Sequence, residues 1–331
     1  MLRHGRTGRN SSTCFRFSRS FAAHLPYTML RRLFLFLSRR RGLRRWMETS
    51  TLSRRLTRRF IAGLTLDEEL AVCRRLNAEG IAATIDRLGE NVTSRAEAER
   101  ARDAYLNVLE QIAQNGLNST VSIKLTQLGL DFGEEACFPL TRALAYRAKQ
   151  LGTGIEIDME SSAYVDRTLD IAVRLHHETG AVRAVVQAYL RRTDADVKRL
   201  NELRVPLRLV KGAYEEPSSV ALPNKREVDA NFVRLMKLLM DEGADPAIAT
   251  HDERIINEAL RHARIRQMPN ERFEFQMLYG IRRDLQRRLV RQGFRLRVYV
   301  PYGEAWHPYF MRRLAERPAN ALFVLRNLFR A

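Results

Sequence analysis

Cysteine is scarce. Cys14, Cys73 and Cys137 are the only three in 331 residues, and they lie far apart. No CxxC or HxxxH spacing occurs, which argues against a disulfide framework and a structural zinc site and fits a reducing compartment. Long apolar runs are absent too. The longest near the N-terminus, Leu33–Leu37, is flanked by Arg, whereas a spanning helix needs about 20 apolar residues. No GxGxxG follows a strand pattern, and no GxxxxGK[ST] is present; Gly152-Thr-Gly154 precedes a strand and so is a weak phosphate-binding candidate. A nucleophile elbow and His or carboxylate pairs at metal spacing are also missing, so hydrolase signals and a metal site are not predicted. With 17 Gly, 10 Pro, 45% hydrophobic and 29% charged residues, the composition is globular.

The net charge of +19 is unevenly placed. Residues 1–60 hold sixteen Arg, no Lys and one acid, Glu48, a local +15 that leaves only +4 for the remaining 271 residues. Basicity is a leader property, and no nucleic-acid partner is predicted. Residues 1–47 carry twelve Arg, several Ser and no acid. That composition fits a transit peptide, a basic membrane-surface helix, or an over-long gene start with Met29 or Met47 as the true beginning. The expected organisation is a basic leader over 1–46, loosely placed through 28, and a body over 47–331.

From Thr65 the pattern is regular. Thr65-Leu-Asp-Glu68 matches a capping box and opens a helix to about Asn77. Eight short apolar runs follow: Ala82–Leu88, Val121–Thr126, Gly154–Met159, Arg183–Leu190, Leu207–Lys211, Ala247–His251, Phe273–Leu278 and Leu296–Val300. Several are nearly continuous in Val, Ile and Leu, as strands buried on both faces are. Segments of helical periodicity separate them: Arg95–Asn115, Pro139–Leu151, Ala163–Thr179, Asp194–Glu202, Glu227–Glu242, Glu253–His262 and Arg282–Gln292. Gly152, Gly180, Gly243 and Gly293 stand where left-handed helix ends are expected. Eight strand–helix units in series predict an α/β fold, a (β/α)8 barrel preceded by N-terminal helices; a doubly wound open sheet is the competing arrangement.

In a barrel, chemistry gathers at the C-terminal strand ends. Those ends carry Glu90, Lys124, Asp158, Gln187, Lys211, His251, Gln276 and Tyr299. Lys124 lies between Ile123 and Leu125, and Asp158 between Ile157 and Met159. A charge inside an apolar strand is costly unless paired, so a Lys124–Asp158 ion pair between neighbouring strands is expected. After the last strand come Tyr309, Arg312, Arg313 and Glu316 on a helical pattern. Paired Arg suits a carboxylate ligand, although Arg-Arg also recurs on predicted surface helices.

The runs Val121-Ser-Ile-Lys-Leu-Thr126, Ile157-Asp-Met-Glu160, Val186-Gln-Ala-Tyr189, Arg208-Leu-Val-Lys-Gly-Ala-Tyr214, Ala249-Thr-His251, Phe273-Glu-Phe-Gln-Met-Leu278 and Tyr309-Phe-Met-Arg-Arg-Leu-Ala-Glu316 resemble, in order over about residues 60–325, the proline dehydrogenase family. The resemblance implies a distorted (β/α)8 barrel that binds FAD at the strand C-termini. It implies oxidation of L-proline to 1-pyrroline-5-carboxylate by hydride transfer from C5 to the flavin N5, the first step of proline catabolism. Electrons would pass to a membrane quinone, and the product to a separate 1-pyrroline-5-carboxylate dehydrogenase.

Carried to this chain, the resemblance implies that Arg312 and Arg313 hold the proline carboxylate, with Lys124 near it. Lys124 and Asp158 line the pocket, Tyr299 and Leu278 pack on the ring, and Tyr214 lies nearby. Glu90 would pair with Arg312 to help close the site. Met159, Gln187, Arg208, the Lys211-Gly212-Ala213 backbone, Thr250 and His251 would contact FAD, with Glu316 at its adenine end or on the helix. Asp158 and Arg208 take the catalytic roles. Two departures stand out: Glu215 follows Tyr214 where bifunctional members tend to have Trp, and the Arg-rich leader is unusual for bacterial members. The implied location is cytoplasmic, peripheral at the inner membrane face, or mitochondrial if the leader is a transit peptide. Another flavin barrel, of the methylenetetrahydrofolate reductase kind, and a basic interaction protein are the competing functions.

Overall fold

Eight parallel strands close on themselves in chain order in the computed structural model, which describes residues 59–89, 92–307 and 309–311. The strands are β1 Ala82–Arg87, β2 Ser119–Ile123, β3 Ile155–Ile157, β4 Val182–Gln187, β5 Leu207–Val210, β6 Ala247–Ala249, β7 Glu274–Leu278 and β8 Arg295–Tyr302. Closure is made by β8 beside β1, with Thr84 opposite Tyr299 and Asp86 opposite Pro301. The helices are α1 Leu66–Ala78, α2 Arg95–Gln114, α3 Glu134–Gln150, α4 Val165–Thr179, α5 Thr193–Glu202, α6 Lys225–Glu242, α7 Glu253–Ile265 and α8 Arg283–Arg291. The predicted barrel is therefore the observed fold, and the open sheet is not.

The distortion lies in α1. The expected capping box starts it: Thr65 Oγ1 accepts from the Glu68 amide at 3.3 Å, and Glu68 Oε2 accepts from the Thr65 amide at 3.3 Å. This helix precedes β1 yet packs on both β1 and β8, where a regular barrel would place the helix following β8. The outer strand faces and inner helix faces form one apolar shell that includes Ile85, Val121, Ile157, Leu209, Ile248, Phe275 and Val300.

Several local expectations differ from what is seen. β2 stops at Ile123 rather than Thr126, because Leu125–Leu128 turns into a 3-10 helix and Glu160 captures the Thr126 amide and hydroxyl at 3.1 and 2.7 Å. β4 ends at Gln187, where the Thr193 hydroxyl takes its carbonyl. α3 begins at Glu134, so Pro139 sits inside the helix rather than opening it. Gly152, Gly180 and Gly293 have positive φ as anticipated, but Gly243 is extended at φ −63°. Its glycine is needed for a different reason: a Cβ there would lie 2.6 Å from the Leu239 carbonyl. The leader 1–46, Glu90, Arg312, Arg313 and Glu316 fall outside the described residues.

Candidate active site

Side chains alternate across a strand, so every second residue points into the barrel. Barrel interiors are usually filled by branched apolar side chains. Here most of the inward positions are polar: Thr84 and Asp86 on β1, Thr120 and Ser122 on β2, Glu156 on β3, Arg183 on β4, Arg208 on β5, Glu274 and Gln276 on β7, and Arg297 on β8. The runs read as continuously apolar are thus apolar chiefly on the outer face, with Val185 and Ala247 among the few apolar residues level with Arg208 on the inner one.

At the C-terminal mouth, the anticipated Lys124–Asp158 pair is present at 3.2 Å. A third member, Asp86, joins it, lying 3.1 Å from Lys124 Nζ. Asp158 uses both oxygens: Oδ1 accepts from Arg208 at 2.7 Å, and Oδ2 accepts from Lys124 and from the Tyr299 hydroxyl at 2.7 Å. Burial alone would raise the Asp158 carboxyl, but Lys124 and Arg208 more than offset it and hold it below the ordinary range. Burial dominates at Asp86, whose carboxyl is raised despite Lys124. Lys124 loses stability as a cation through burial, but Asp86, Tyr299 and Asp158 push its ammonium well up. Burial and the neighbouring carboxylates push the Tyr299 phenol well up, so it remains a hydrogen-bond donor. The Arg208 guanidinium sits 5.4 Å from the Tyr299 ring centre, within cation–π reach.

Leu278 is the register partner of Tyr299, which sets the two side by side at the rim. Gln187 and Met159 are buried beneath the β3 and β4 loops, with Gln187 Nε2 donating to the Glu160 carbonyl at 2.9 Å. His251 Nε2 accepts from the Leu278 amide at 2.8 Å, which places its ring proton on Nδ1. Thr250 is buried, and its hydroxyl accepts from the Asp252 amide at 3.1 Å. Lys211 Nζ is held by Asp229 and, at 3.2 Å, by Asp252, so it anchors the β5 loop to α6 and α7. Gly212 has φ +106°, and a Cβ there would stand 2.1 Å from the Tyr189 ring; only glycine fits beneath that ring. Ala213 and Tyr214 follow on the exposed part of this loop.

The structure therefore gathers Lys124, Asp158, Arg208, Tyr299 and Leu278 at one mouth, with Gln187 at the end of β4 and the loops bearing Gly212 and His251 around the same end. Sequence reading missed Asp86, Ser122 and Glu156 as parts of this assembly and named Gln276 only as a polar strand end. The signal was available: Thr84-x-Asp86, Glu156-x-Asp158 and Glu274-x-Gln276 repeat polar residues at the strand period of two.

Arg208 also tests whether a cofactor belongs here. Its Nε is buried and finds no acceptor among the described residues, although both terminal nitrogens are engaged. A buried donor left unmatched costs about 1–3 kcal/mol. The polar edge of a flavin ring has the acceptors that this donor requires.

A family model described as proline dehydrogenase matches residues 70–326. Proline dehydrogenase 1 of Bacillus subtilis (strain 168) is 43% identical over 302 residues, covering 91% of this chain and all of the relative. Proline dehydrogenase of Deinococcus radiodurans is 41% identical over 280 residues, covering 83% of this chain and 90% of that one. Among solved structures, proline utilization A (PutA) from Bdellovibrio bacteriovorus, inactivated by N-propargylglycine, matches with a TM-score of 0.76 at 26% identity. That match covers 87% of this chain but only 36% of the PutA chain, so this chain spans about a third of it. With the barrel, the polar mouth and these relatives in agreement, the chain belongs to the proline dehydrogenase family.

Proposed function

We propose that this oxidoreductase converts L-proline to 1-pyrroline-5-carboxylate with FAD bound at the barrel mouth. The observation that carries this reading is the Asp158-centred cluster of Lys124, Arg208 and Tyr299 beside Arg208 Nε. The reaction takes a hydride from C5 and a proton from the ring nitrogen, leaving a C=N bond. FAD, when bound, supplies the hydride acceptor and passes the electrons to a membrane quinone.

The residues of the chain bind and orient. Lys124, with Arg312 and Arg313, supplies cations for the proline carboxylate, and Tyr299 and Leu278 supply an apolar wall for its ring. Asp158 is a weak base, because Lys124 and Arg208 hold its carboxyl low and three donors occupy its oxygens. Its work is positional: it fixes the Tyr299 phenol, the Lys124 ammonium and the Arg208 guanidinium against one another. The proton from nitrogen leaves through water. Arg208 stabilises negative charge that develops beside it. Met159, Gln187, Arg208, the Lys211-Gly212-Ala213 backbone, Thr250, His251 and Glu316 hold the cofactor. Glu90 pairs with Arg312 to close the site, with Tyr214 alongside.

The product goes to a separate 1-pyrroline-5-carboxylate dehydrogenase. No helix among the described residues is long and apolar enough to cross a membrane. The location we propose is cytoplasmic and peripheral at the inner face of the membrane, with the basic leader 1–46 ahead of the barrel body 47–331; a transit-peptide leader would make it mitochondrial.

One visible spectrum of the purified protein, followed by anaerobic addition of L-proline, tests the reading. A flavin spectrum that bleaches is the expected result. A flavin spectrum indifferent to proline overturns the substrate, and a colourless protein that does not take up FAD overturns the cofactor.

A further inference from the structure

Below Arg208 the barrel is filled by charge rather than hydrocarbon. Glu156 is 2% exposed and lies at the crossing of this network. Its Oε1 accepts from Thr84 and Thr120 at 2.9 and 2.8 Å. Its Oε2 accepts from Gln276 Nε2 at 3.2 Å and stands 3.5 Å from Arg208 and 3.9 Å from Arg183. Gln276 also donates to Glu274 at 2.9 Å. With its amide nitrogen held by two carboxylates, Gln276 must turn its oxygen outward, where it accepts from Arg208 at 3.3 Å. Arg183 and Arg297 neutralise Glu274 from below, both at 3.0 Å. Burial disfavours the Glu156 anion, but Arg208, Arg183 and Arg297 outweigh it and keep the carboxyl ionised.

We infer that Glu156 is a positioning residue for Arg208. It acts directly through its charge and indirectly by locking the Gln276 amide, so that Arg208 presents Nε, its one nitrogen without a hydrogen-bond partner among the described residues, to the cofactor with a set fraction of its positive charge compensated. Arg183, the register partner of Glu156 on β4, sets that fraction from the other side. This deepens the proposed function and rests on it.

The consequence has a sign. Glu156→Gln keeps the shape and still accepts from the threonines, but it removes the anion beside Arg208. The uncompensated guanidinium then favours reduced, negatively charged flavin, and the midpoint potential of the bound flavin rises. The Gln276 amide keeps only Glu274 as a carboxylate partner and is held less firmly against Arg208, and kcat for proline falls about tenfold, the effect of losing one charge-assisted hydrogen bond. KM for proline stays within about twofold, because Glu156 does not face the substrate-binding cations. Arg183→Gln removes the competing cation and moves the potential the opposite way.

The experiment measures flavin midpoint potential, kcat and KM in the flavin-loaded wild type, Glu156→Gln and Arg183→Gln. Opposite shifts in the two variants, with the kcat-weighted loss in Glu156→Gln, support the assignment. A potential within error of wild type in both, or a loss confined to thermal stability, overturns it and leaves Glu156 as packing. Should Glu156→Gln fail to fold, the sign of the Arg183→Gln shift decides alone, and an unchanged or raised potential overturns the inference. A wild type that binds no flavin or is not bleached by proline defeats the proposed function instead, so the two failures are told apart.

Discussion

The Tyr299 hydroxyl donates to Asp158 Oδ2 at 2.7 Å across 141 residues of chain, while Arg208, bonded to the other oxygen of the same carboxylate, lies 5.4 Å from the Tyr299 ring centre. One anion thereby holds both Tyr299 and Arg208, the residues proposed as the wall of the pocket and the cation beside the cofactor. The phenol oxygen cannot leave its place without breaking this part-buried hydrogen bond.

That restraint has consequences for specificity. A phenol fixed at the rim crowds a hydroxyl on the substrate ring, so the wild type is expected to use proline and reject 4-hydroxyproline. Tyr299→Ser opens the space and gains hydroxyproline turnover while losing proline affinity. Steady-state kinetics on both substrates check this; a wild type that turns over hydroxyproline as readily as proline contradicts it.

Lys124 stands between two buried carboxylates, 3.1 Å from Asp86 and 3.2 Å from Asp158. Lys124→Met leaves both without their shared cation, a loss of about 3–5 kcal/mol for breaking a buried pair. Asp86 already has a raised carboxyl and is expected to take up a proton in this variant. It then binds more protons folded than unfolded, so the variant loses further stability as pH rises from about 4 toward its raised value. Urea unfolding from pH 5 to 8 measures the deficit, and a deficit that shrinks with rising pH contradicts the assignment.

In the wild type the balance runs the other way at Asp158, Glu156 and Glu274. Burial opposes ionisation at each, yet the facing Arg and Lys residues lower all three carboxyls. Each binds fewer protons folded than unfolded. Their contribution is therefore present above the unfolded value of about 4 and is lost as pH falls through the lower folded values. Melting temperatures measured downward from pH 6 should fall steeply below about pH 4, with the raised Asp86 offsetting part of the slope. A melting temperature that holds steady to pH 3 would remove the barrel charges from the stability account.

Arg312 and Arg313 are proposed to hold the substrate carboxylate. Replacing either by Ala removes a charge-assisted contact worth about 1.5–3 kcal/mol, so KM for proline should rise about ten- to a hundredfold with flavin still bound. Unchanged KM in both variants takes the pair out of the site.

Much of this molecule was legible in one dimension. Alternating short apolar runs and amphipathic segments determined the eight strand–helix units, since burial on a period of two or 3.6 is a local property. Thr65 and Glu68 determined where α1 starts. Lys124 and Asp158 declared themselves because a charge between apolar neighbours needs a partner. Asp86 lacks that mark, because Arg87 beside it makes the position look like an ordinary strand end. Beyond the Lys124–Asp158 pair, the tertiary structure alone decided which charges meet. Barrel closure sets Tyr299 opposite Thr84, and Gln276 reaches Glu156 from 120 residues away. It also turned the inner faces of runs that look apolar into a charged core. Strand periodicity says that a side chain points inward; the closure and stagger of eight strands decide what it faces there.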